Sequence, residues 1–132
     1  MTTNSRRRQA VESLGDKAYR DGFVSEHINT GLAFQIYTMR QERDWTQAEL
    51  GRRAGMAQER ICTLENPDYG KPNLTTLKRL ASAFDVALIV RFAPFSELVD
   101  WEVNLSKKDM AVPSFHNDPV LEAVADRKRP AG

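Results

Sequence analysis

The chain has 132 residues, 41% of them hydrophobic and 28% charged, which suits one compact domain with peripheral segments. It holds no run of about 18 apolar residues, so no membrane span is expected. The polar and then basic start, Met1 to Arg8, lacks the apolar stretch of a secretory signal, and a cytoplasmic protein is expected. The single cysteine, Cys62, has no companion for a disulfide or a zinc site, and His27 and His116 lie far apart without ligand spacing. Net charge is +1, so any surface for nucleic acid must be a local patch. Basic runs stand at Arg6, Arg7 and Arg8 and at Arg127, Lys128 and Arg129.

In chain order, residues 1–15 read as a flexible basic arm. Residues 16–31 read as a helical extension of the segment that follows. Tyr19, Phe23, Ile28, Leu32, Ile36 and Met39 recur at three- to five-residue spacing, as an amphipathic helix requires. Asn29, Thr30 and Gly31 are poor helix formers, which leaves one long helix or two helices open. Residues 32–85 hold the densest punctuation. Thr46 is a natural N-cap with Glu49 three residues on, in the capping-box pattern. Leu50 and Ala54 then face inward, and Gly55 stands where a helix should stop. A second short helix carries Ile61 and Leu64. The run Asn66-Pro67-Asp68-Tyr69-Gly70-Lys71-Pro72 is a loop. Asn73 caps a further helix with Leu77, Leu80, Ala81 and Phe84 inward.

Residues 86–101 change period. Leu88, Val90 and Phe92 alternate with Ile89 and Arg91, which predicts a β-strand ended by Pro94, with a short helix after it. A lone strand leaves backbone groups unpaired. Pairing with the same strand of a second copy is the natural remedy, so Leu88, Val90 and Phe92 are expected at a homodimer interface. Residues 102–132, with Pro113, Pro119 and Pro130, are expected to be extended or disordered. The expected fold class is therefore mostly α: a compact helical bundle with a helix-turn-helix, followed by one β-strand used in dimerisation.

The central pattern is a short helix, a tight glycine turn and a second short helix. Gly55 supplies the corner, and the small residues Gly51 and Ala54 let the two helices approach closely. The stretch from Met39-Arg40-Gln41-Glu42 through Trp45-Thr46-Gln47-Ala48-Glu49-Leu50, Ala54-Gly55-Met56 and Ile61 to Leu64-Glu65-Asn66 resembles the phage-repressor and Cro-type (XRE-like) helix-turn-helix family. Asn73-Leu74-Thr75-Thr76-Leu77 and Leu80-Ala81 fit that family's fourth helix, so the resemblance covers roughly residues 32–85.

The resemblance implies a helix entering the major groove from Ala57 or Gln58 onward. Gln58 matches the family's base-reading position, and Glu59, Arg60 and Thr63 follow as base contacts. Glutamine suits adenine, arginine guanine, glutamate the cytosine amino group, and threonine the thymine methyl. Gln47 matches a phosphate-contacting glutamine, at a helix end whose N–H groups favour anions, and Thr46, Asn66 and Lys71 are further expected phosphate contacts. Arg40 and Glu65 match a family ion pair. Ala57 departs from the family's serine or threonine, and Glu59 adds a negative charge near DNA. Arg52 and Arg53 read as solvated, and Arg6 to Arg8 fit either a minor-groove arm or a solubilising tail.

The expected function is a dimeric, sequence-specific double-stranded DNA-binding regulator, a repressor on a palindromic operator. The alternative is an antitoxin that represses its own operon and binds a toxin protein. No cofactor, metal or membrane partner is expected. With no acid–base pair, activated nucleophile or phosphate-cradling glycine loop, enzymatic activity is not expected.

Overall fold

The computed structural model describes residues 3–128. Arg129 and Pro130, named above for the basic end and the tail, lie outside the described residues. The helices are α1 (Thr3–Ser13), α2 (Lys17–Glu42), α3 (Gln47–Ala54), α4 (Gln58–Leu64), α5 (Leu74–Phe84), α6 (Phe95–Asn104), α7 (Lys107–Met110) and α8 (Pro119–Lys128), with one 3-10 turn at Phe115–Asn117.

Local chemistry sets the boundaries in the middle of the chain. The Thr46 hydroxyl accepts from the Glu49 N–H at 3.0 Å and starts α3. The reciprocal half of the capping box is not made, because the Glu49 carboxylate turns instead to Arg52 and Arg53. Gly55 ends α3 at φ 69°, in the left-handed region that glycine enters without strain. Gly51 serves close approach: a Cβ there would lie 2.5 Å from the Met56 carbonyl oxygen. Asn73 caps α5, accepting from the Thr76 N–H at 2.8 Å. Ala57 gives α4 no side-chain cap.

These helices close around one core. Leu50, Ile61 and Phe84 are almost wholly buried, with Ile36 and Met39 of α2, Leu64 and Leu80 around them. Trp45 lies parallel to Phe84 at 5.8 Å between ring centres. Arg53 stacks on the outer face of that indole at 4.2 Å, an arrangement attractive through the ring quadrupole.

The undecided stretch at Asn29-Thr30-Gly31 is continuous helix. α2 runs 26 residues, about 39 Å at 1.5 Å per residue, and Asp16 caps its start by accepting from the Tyr19 N–H. Its front half carries a second, thinner layer. α1 packs on α6, with Arg7 paired to Asp100 at 2.7 Å. His27 of α2 meets Glu102 of α6. This layer buries Leu14, Val99 and Met110. Residues 3–13, expected in a flexible arm, are thus helical and docked. Residues 102–128, expected to be extended or disordered, include the end of α6, α7 and α8.

The predicted β-strand is absent among the described residues, and the fold class is corrected to all-helical elements around the helix-turn-helix. Residues 87–93 are irregular backbone that makes no backbone hydrogen bond among the described residues. The alternation that suggested a strand has a different cause. Val86 and Leu88 line an apolar crevice between α2 and α5. The chain then leaves the surface, so Val90 and Phe92 share no buried face with Leu88. Phe92 is fully exposed.

Candidate nucleic-acid interface

α4 presents most of the residues singled out from the sequence. Successive residues turn by about 100° around a helix. With Ile61 and Leu64 buried, Glu59, Cys62 and Thr63 fall on the opposite side, and Gln58 and Arg60 on the two flanks. Gln58 and Glu59 are exposed. Thr63 donates its hydroxyl to the Glu59 carbonyl at 3.0 Å, which leaves its methyl and its lone pairs for contact. Arg60 is half-buried and engaged by the loop that follows, its Nη1 donating to the Tyr69 hydroxyl at 2.7 Å.

α4 is held in place from beneath by Arg40 and Glu65. Arg40 Nε and Nη2 donate to the two carboxylate oxygens of Glu65 at 2.7 and 2.9 Å, and Nη1 donates to the Trp45 carbonyl at 2.9 Å. Both side chains are nearly buried. The hydrogen bond to Glu65 raises the Arg40 pKa in spite of burial, so the guanidinium stays charged. A bidentate pair of this kind fixes direction as well as distance. It therefore sets the end of α4 against α2 and against the entry to α3.

The expected phosphate contacts surround that pair. Gln47, the first residue of α3, reaches Glu65 through its amide at 3.4 Å, and Thr46 beside it is exposed. Asn66 is exposed and accepts from the Asp68 N–H at 3.0 Å, which shapes the loop. Lys71 is exposed farther along the same loop. Glu49 is held to a pKa of about 2, chiefly by the hydrogen bond from Arg52 and then by that from Arg53. It thus remains an anion at any physiological pH and keeps both arginines partly neutralised. Of the expected interface residues, Leu88 is half-buried, while Val90 and Phe92 project from the 87–93 segment.

A helix with an outward polar edge, set by a buried ion pair and joined through a left-handed glycine to a shorter-loop partner helix, matches a known family model. The match spans residues 36–90 and is to the helix-turn-helix family. Residues 36–90 are an XRE-like helix-turn-helix domain. No curated protein and no solved structure matches the chain. The domain is of the DNA-binding transcriptional regulator type, with α3 and α4 as its two motif helices. Its boundary falls inside α2, so the front half of α2, α1 and everything after residue 90 are additions to it. Among the described residues no helix is long and apolar enough to cross a membrane.

One residue of this helix-turn-helix surface was missed from the sequence as a functional candidate. Tyr69 read only as part of a turn-rich loop, yet it holds Arg60. The available signal was a lone aromatic among turn residues directly after the second helix of the motif.

Proposed function

We propose that the chain is a sequence-specific transcriptional repressor that binds palindromic duplex DNA as a homodimer. The observation that carries this reading is the outward edge of α4, where Gln58, Glu59 and Thr63 stand unshielded above a helix locked by Arg40 and Glu65. These three residues read base edges in the major groove, each with a recognised base-edge preference. Thr46, Gln47, Asn66 and Lys71 contact phosphates on either side and set the docking angle. Occupation of a promoter by so small a protein blocks polymerase without further machinery.

The dimer is supported by exposed apolar surface beside the helix-turn-helix domain. Val90 is 65% exposed and Phe92 completely so, and a two-fold contact through them places two α4 helices for major grooves one turn, about 34 Å, apart. The test is selection of binding sites from random duplex DNA by the purified chain, with light scattering before and after. An inverted repeat bound by two chains supports the reading. A monomer that selects no sequence overturns it.

A second reading rests on α8. Val120, Leu121 and Val124 are exposed on this C-terminal helix, a face suited to a protein partner, as an antitoxin would need for its toxin. Co-purification with the product of the adjacent reading frame, lost on Val124→Asp, would favour it over the plain repressor.

A further inference from the structure

Arg60 stands apart from the other residues of the α4 edge. The helical turn places it on the flank nearest the buried side, about 70° from the direction of Ile61 and Leu64 by the 100° rotation. Its neighbours there come from the 66–72 loop. Nη1 donates to the Tyr69 hydroxyl at 2.7 Å, and the guanidinium lies 5.2 Å from the centre of the Tyr69 ring.

Tyr69 is not a mobile partner. It packs against the core cluster as a half-buried residue, and its N–H donates to the Asn66 carbonyl at 3.1 Å. The next residue, Gly70, sits against the Asn29 side chain of α2, close enough that a Cβ would come within 3.1 Å of the amide nitrogen. The loop is therefore pinned at Asn66, in the core and on α2, and it fixes the guanidinium from the side.

Reading a guanine requires two parallel N–H groups of the fork aimed into the groove from the outward edge of the helix. Arg60 has Nη1 committed to a hydroxyl and leaves α4 on the loop side. A guanidinium stacked on an aromatic ring, with donors to spare, is well suited to a phosphate. Asn66 and Lys71, on the same loop, are residue types that contact phosphates as well.

We propose that Arg60 is a phosphate clamp on the DNA backbone at the edge of the groove, with Tyr69 as its positioning residue, and not a reader of bases. This assignment rests on the DNA-binding reading above. Base discrimination then belongs to Gln58, Glu59 and Thr63.

The experiment compares the full chain with Arg60→Ala, Tyr69→Phe and Tyr69→Ala on the selected duplex, on duplexes with single base changes, and over a range of salt. Circular dichroism checks that each variant is folded. Arg60→Ala should weaken binding to every duplex by the same factor, roughly tenfold to a hundredfold. It should also lower the slope of log affinity against log salt by about one, with the base preference unchanged. Tyr69→Phe keeps the ring and loses the hydroxyl, so it should give a smaller uniform loss, and Tyr69→Ala a larger one. Relaxed preference at one base pair in Arg60→Ala, with the salt slope unchanged, would overturn the clamp. Wild-type affinity in both Tyr69 variants would overturn the positioning role. Absence of binding by the wild-type chain to any duplex would instead overturn the DNA-binding reading itself.

Discussion

The two halves of α2 belong to different kinds of structure. Its rear half lies in a core where Leu50, Ile61 and Phe84 are almost wholly buried and where the one deeply buried charge, Arg40, has a bidentate partner. Its front half supports a layer held by a few buried side chains, Leu14, Val99 and Met110, and by contacts nearer to solvent such as Arg7 with Asp100. In that outer part Val11, Trp101, Phe92 and Phe115 stay exposed. The difference shows where specification is concentrated: the helix-turn-helix domain is determined by packing and paired polar groups at once, the surrounding layer mainly by modest apolar contact.

The sharpest way to break this contrast is Glu65→Ala. It leaves the Arg40 guanidinium buried without its partner, and loss of one member of such a pair costs about 3–5 kcal/mol. Urea denaturation should show that loss, and the paired change Arg40→Met with Glu65→Leu should recover most of it. A loss below about 1 kcal/mol in the single variant would mean that the pair is more hydrated than its burial indicates. Next in size is Gly51→Ala. Alanine normally favours helix over glycine by about 1 kcal/mol, but here the new methyl meets a backbone oxygen at 2.5 Å. Overpacking should prevail, giving a net loss of about 1–3 kcal/mol, and a stabilised protein would show that α3 and α4 can move apart freely. The smallest effect is expected from Val99→Ala in the outer layer, about 1–2 kcal/mol for the methyl groups removed. Its signature is local: faster amide exchange in α1 and α6, with α3, α4 and DNA affinity unchanged. Equal loss of protection throughout would make the two regions one cooperative unit.

The helix-turn-helix part was legible in the sequence because its signals are local and agree with one another. Thr46, Gly55 and Asn73 each act on their own turn of helix, and Leu50, Ile61, Leu64 and Leu80 repeat at helical spacing. Arg40 and Glu65 were legible only through family resemblance, since 25 residues separate them. The 86–93 segment was misread for a physical reason. Alternation reports which side chains could share a face, whereas a strand also needs a neighbour for its N–H and C=O groups. No described segment supplies one. α1 was obscure because its first turns, Arg6 to Arg8, carry no apolar stripe, and what holds it is contact with α6 far along the chain. The C-terminal segment was obscure for a similar reason. Arg43 donates to the carbonyls of Met39, Phe84 and Val112. Burial lowers its pKa. That three-way clamp joins residues far apart in sequence and leaves no periodic trace.

The placement of α1 against α6 has a consequence for the order in which the chain is born. Leu14 leaves the ribosome some 85 residues before Val99, a wait of about 4–17 s at typical rates of synthesis. Through that interval the middle of the chain has everything it needs to fold. The front of α2 has not yet met α6 and must keep its apolar side in water. The newborn protein thus acquires its DNA-facing surface first and its outer covering last, and a pause late in translation would prolong the interval in which that side is open to other proteins.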